Sequence, residues 1–186
     1  MEDSINLKIR VIQEPSEKNP FAVIYKPHNL PSAPLSSEDK FNALYQASEL
    51  FPEINSVSGK KPVEKGLIHR LDTVTSGLVL IATEQSFYEK LLEIQAEDRF
   101  IKYYRAECDI CNDNADTLDG FPPFVVSGDS EGCKDIVYTK SWFRPYGDGH
   151  KEVRPVTKDS GMAALKKLKN PVEYNTEIKI LSKMML

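Results

Sequence analysis

The chain has 186 residues, 40% hydrophobic and 28% charged, which suits one domain with a sizeable core and excludes a disordered or fibrous protein. Twenty-four Lys and Arg against 28 Asp and Glu leave a formal charge of −4, so the wholesale basicity of a histone or ribosomal protein is excluded and any nucleic-acid face must come from local clustering. Clustering is visible: seven acids and no base lie between Glu107 and Glu131, then eleven bases against six acids from Lys134 to Leu186. The start, Met-Glu-Asp-Ser, has no basic region followed by an apolar run, and no stretch approaches the roughly 18 continuous apolar residues of a membrane span. A cytoplasmic protein with no membrane partner is expected. Cys108, Cys111 and Cys133 are too few for a disulfide scaffold, and no fourth ligand completes a zinc-like spacing, so no metal is expected.

Ile5, Leu7, Ile9 and Val11 alternate as a half-buried strand does, and a turn-rich break at 14–20 separates them from a second strand, Phe21 to Tyr25, that stops at Lys26-Pro27. Pro27, Pro31 and Pro34 then predict a shaped loop. Ser36 is a candidate N-cap for a helix carrying Phe41, Leu44, Tyr45 and Leu50 and ending before Pro52. Gly66-Leu67-Ile68 and Gly77 to Ala82 read as short strands, the second apolar enough for burial on both faces. Thr83 is placed to cap a helix over 84–97, and Phe100 to Ala106 reads as an aromatic-rich strand. Strands at 136–143 and 172–181, with a short helix at 163–168 between them, complete an α+β pattern.

Between the two central strands lies a polar segment, His69-Arg70-Leu71-Asp72-Thr73-Val74-Thr75-Ser76, a place that functional side chains favour. A carboxylate there must be paired or working. One reading makes Asp72 a turn-capping aspartate bonded to the amides of Thr73, Thr75 or Ser76; the other makes it catalytic. The kinase, nucleophile-elbow, P-loop and zinc-peptidase patterns are all missing.

His69 through Ala82 closely resembles the signature of the RluA/RluD-type pseudouridine synthases, which isomerise uridine to pseudouridine in structured RNA. Tyr25-Lys26-Pro27-His28-Asn29-Leu30-Pro31 is similar to that family's first motif, and Lys102-Tyr103-Tyr104-Arg105-Ala106 to its Lys-x-Tyr-x-Ala strand. The resemblance covers roughly residues 20 to 182. It implies the family's catalytic fold, a mixed, mostly antiparallel sheet with flanking helices, as a single domain over 1–186 without an S4-like RNA-binding module. It also implies that Asp72 is the nucleophilic aspartate, that Tyr104 packs on the target base, and that Arg70 holds the RNA open around the extruded uridine. His69, Thr75, Lys26, Lys102 and Arg105 are implied as further RNA-binding residues, with Lys60, Lys61 and Lys65 nearby.

Such chemistry fits the residue types. A stacked uracil hides its glycosidic bond and must be flipped out at a cost of a few kcal/mol, which an aromatic ring and an intruding arginine lower. One C–N bond breaks and one C–C bond forms without redox change, so no cofactor is expected. The expected partner is ribosomal or transfer RNA, bound by a monomer. Either mechanism proposed for the family, attack on the uridine or removal of a ribose proton, needs Asp72 ionised in a partly buried pocket, hence a cation against it. In the family that cation comes from a later Gly/Arg-x-His-Gln-Ile-Arg motif, whereas here Ser182-Lys183-Met184-Met185-Leu186 follow the last predicted strand. The fold is therefore expected to be C-terminally incomplete; Arg144 and Arg154 are expected to contact phosphates, with an approach of either to Asp72 as the minor alternative, and the alternative to an active synthase is an inactive RNA-binding or structural remnant.

Overall fold

A computed structural model describes residues 7–107, 136–146, 148–150, 152–158, 160–168, 172–179 and 181. Backbone contacts divide the chain into two compact units, Met1–Arg105 and Ala106–Leu186. Each holds a small antiparallel sheet with short helices, so the class is α+β.

The first unit is built on strands β1 (Arg10–Gln13), β2 (Phe21–Lys26) and β3 (Gly77–Ala82), in that order. Period-two alternation places Ala22, Ile24 and Lys26 on the buried face of β2 and leaves Phe21, Val23 and Tyr25 half-buried on the other. β2 and β3 pair without interruption from Phe21↔Ala82 to Lys26↔Gly77. That register sets the loop leaving Lys26 beside the loop entering Gly77, which decides where the site lies. Gly77 has a φ of 148°, which a side chain would disfavour at the point where the loop joins the sheet. β3 is not buried on both faces as its composition predicts: Val79, Ile81 and Ala82 are buried, but Leu78 is 56% exposed.

The predicted Gly66–Ile68 strand reduces to one bridge, Leu67 to Ile81. The amide of Ala82 donates to the Gly66 carbonyl at 2.8 Å, and a Cβ on Gly66 would meet the Ala82 carbonyl oxygen, so only glycine permits this approach. Helix α1 (Ala43–Leu50) starts later than predicted, because the side chain of Asn42, not Ser36, accepts the Tyr45 amide at 2.7 Å as its N-cap. Asp39 instead organises the preceding loop by accepting the amides of Leu35 and Phe41. Helix α2 (Gln85–Ala96) begins after Glu84 with no side-chain cap, so Thr83 does not serve as one. Ile24, Leu30, Leu44, Ile54, Val79 and Ile81 form the main core, each contributing about 1.5–3 kcal/mol on burial, and Tyr88 and Leu91 of α2 anchor a second cluster with Val57 and Ile68. Residues 100–106 have no regular structure, contrary to the strand predicted there: no described strand pairs with them.

In the second unit β4 (Ile136–Tyr146) is central, flanked by β5 (Glu152–Val156) and β6 (Tyr174–Lys179). The sequence does not announce β5, since Pro155 argues against a strand. β5 lies at a sheet edge, where a missing N–H costs little. Helix α3 (Met162–Leu165) is shorter than its apolar run suggests. Among the described residues no helix is long and apolar enough to cross a membrane. Cys108, Cys111, Cys133 and most of the acidic stretch lie outside the described residues, as do residues 182–186.

Candidate active site

The loops that meet beside Lys26 and Gly77 are bonded to one another on both sides of Asp72. Ser32 Oγ donates to the Leu71 carbonyl at 2.6 Å and accepts the Leu71 amide at 3.0 Å. On the far side, Lys26 Nζ donates to the Thr73 carbonyl at 3.2 Å, as well as to the carbonyls of Leu30 (2.6 Å) and Pro27 (3.2 Å). The Thr75 amide donates to the Asp72 carbonyl at 2.9 Å and closes a turn. Asp72 is thus held through its backbone and both neighbours while its side chain remains exposed. The turn is a main-chain one: among the described residues no amide donates to the Asp72 carboxylate and no ion pair reaches it, so the turn-capping reading of that side chain fails.

Two expectations need correction here. Asp72 is not in a partly buried pocket. Lys26 is not exposed as an RNA-binding residue would be: it is the largest fully buried side chain among the described residues, and all its donors have carbonyl partners. Burial lowers the Lys26 ammonium from the ordinary lysine range, and the nearby negative charge of Asp72 opposes that shift. A cation within electrostatic reach of Asp72 therefore comes from the first motif.

His69 also turns inward. Its Nε2 accepts the amide of Leu80 at 3.4 Å, taking the ladder position that the departing backbone gives up after Ile68. Its ring packs tilted against Phe100 at 5.7 Å, and Lys102 Nζ stands 6.0 Å from the same Phe100 ring. Desolvation first, and the positive charge of Lys102 second, push the His69 pKa down to about 4, so the imidazole is neutral near pH 7. With Nε2 as acceptor the proton belongs on Nδ1, which is buried and has no hydrogen-bond partner among the described residues.

The remaining expected residues lie toward solvent. Arg70 is exposed and pairs with Glu64 at 3.2 Å. Thr75 is half-buried in the turn, and Lys102, Tyr104 and Arg105 are exposed in one short stretch, with Tyr104 66% open. Among the described residues no group of His, Cys, Asp and Glu is placed to hold a metal ion. Arg144 and Arg154 face each other as cross-strand partners of β4 and β5.

The family model for RNA pseudouridylate synthase matches residues 20–173. The chain belongs to the RNA pseudouridylate synthase family. A comparison with curated proteins finds none that matches it. Family membership makes the chain an RNA-modifying isomerase with uridine in RNA as substrate, and the matched span begins just before β2 and includes both loops that clamp Asp72. Sequence reasoning missed Ser32, because no local spacing announces a bond between residues 39 apart. For Lys26 a signal existed: it shares the Ala22–Ile24 face of an alternating strand.

Proposed function

We propose that this synthase converts a uridine of structured ribosomal or transfer RNA to pseudouridine with Asp72 as its catalytic nucleophile. In that conversion the N1–C1′ bond breaks and the C5–C1′ bond forms, while C5 loses a proton and N1 regains one. The observation that carries the assignment is the clamp: Asp72 is exposed, yet the residues on both sides of it are bonded to the first-motif loop by Ser32 and Lys26. A carboxylate that is open to a ligand but fixed in backbone position suits a group that must meet one ribose-uracil unit in one orientation. RNA seated over the loop supplies the desolvation that the free protein lacks. Tyr104 offers its open ring to the flipped base, and Arg70, Lys102 and Arg105 offer charge to the phosphates.

The test is tritium release from ribosomal and transfer RNA transcripts carrying uridine labelled at C5, incubated with the full chain. Release from at least one transcript, with the product nucleoside identified as pseudouridine, is the expected result. Labelled RNA of both kinds left intact at enzyme excess would overturn the reading.

A further inference from the structure

We infer that Ser32 is a positioning residue for Asp72, an inference that rests on Asp72 being the catalytic carboxylate. The Ser32 side chain is buried, and its hydroxyl closes on both backbone polar groups of Leu71, donating to the carbonyl at 2.6 Å and accepting from the amide at 3.0 Å. Donor and acceptor are therefore both committed to the residue immediately before Asp72. Ser32 is itself anchored. Its carbonyl accepts the Leu44 amide at 3.1 Å, and the Pro31 carbonyl accepts the Ala43 amide at 2.8 Å. These are first-turn amides of α1, which have no acceptor within their own helix.

A chain of hydrogen bonds thus runs from a packed helix end through Ser32 to Leu71 and on to Asp72. Lys26 and the Thr75 turn hold the residues on the other side. With Ser32 removed, the loop loses its hydrogen bonds on the Leu71 side, where only the packing of the Leu71 side chain against the core remains, and can pivot about the second anchor. Displacing a reacting group by about 1 Å costs about 100-fold in rate without requiring weaker substrate binding. Alanine at this position leaves both Leu71 groups without the partner they now have, whereas threonine keeps the hydroxyl.

The experiment uses the full chain and measures single-turnover release, RNA Kd and thermal unfolding for the parent, Ser32→Ala, Ser32→Thr and Asp72→Asn. Ser32→Ala should bind RNA within about threefold of the parent yet react roughly 30- to 100-fold more slowly, with Ser32→Thr regaining most of the rate. A folded Ser32→Ala that reacts within about threefold of the parent, or whose loss lies wholly in Kd, overturns the positioning role. If Ser32→Ala is unfolded at the assay temperature, Ser32→Cys, a weak donor and acceptor, decides: slowed reaction with binding kept supports the role, and the parent rate overturns it. Asp72→Asn separates the two readings. Its activity would overturn the assignment of Asp72, while an inactive Asp72→Asn beside a fully active Ser32→Ala would overturn only the role of Ser32.

Discussion

A lysine without exposed surface is tolerable only where its ammonium is bonded, and Lys26 meets that condition with three carbonyls, one of them beside Asp72. His69 solves a similar problem by remaining neutral. Its folded pKa of about 4 lies below the ordinary 6.5, so between those values the unfolded chain binds more protons. The His69 contribution to stability is therefore fully present above pH 6.5 and lost as pH falls toward 4. It amounts to the order of 2 kcal/mol once the half-buried setting of the ring is allowed for. Denaturant unfolding of the parent and His69→Gln across that window should show a steeper loss in the parent, and parallel curves would contradict this account of His69. The motif in the sequence made Lys26, His69 and Asp72 legible as important positions, but not their division of labour. Burial decides that division: two of the three turn inward and hold the loop, and the third, Asp72, is left open to a ligand.

At the scale of elements, the site depends on where strands and helices begin. The Lys26↔Gly77 pairing at the end of β2 and β3 brings two loops together, and the N-terminus of α1 fixes one of them. Asn42 terminates that helix, with Oδ1 on the Tyr45 amide at 2.7 Å and Nδ2 on the Asp39 carbonyl at 2.9 Å. Asn42→Ala should cost about 1–2 kcal/mol in urea unfolding, whereas Ser36→Ala, at the cap position suggested by sequence, should cost only a few tenths. Equal losses would contradict the assignment of the cap. β2, β3 and α2 were legible because their apolar pattern persists over a whole element, as a continuous run in the two strands and at helical spacing in α2. The start of α1 was not, since several polar residues precede it and only the bond to Tyr45 selects among them. β5 was hidden by Pro155, which an edge strand accommodates. The 100–106 segment has strand composition but no described ladder partner, and composition alone does not make a strand.

For the molecule as a whole, an RNA-modifying isomerase with a formal charge of −4 must bind its substrate through local cations. Exposed Lys102 and buried Lys26 belong to matched motifs alike, and their exposure predicts opposite behaviour. Lys102→Ala should reduce the slope of log Kd against log salt by about 0.7–0.9, the value of one phosphate contact, and Lys26→Met should leave that slope unchanged. RNA titrations at several salt concentrations measure both, and a reduced slope in Lys26→Met would show that this lysine reaches RNA after all. The account as a whole turns on Asp72. Substituting Asn preserves the shape of the side chain, removes its charge, and leaves the bonds from Ser32, Lys26 and Thr75 in place because they involve other groups. Tritium release by Asp72→Asn on an RNA that the parent modifies, measured together with RNA binding, is the most direct test. The account predicts no release above the enzyme-free background with RNA affinity retained; isomerisation near the parent rate would contradict it.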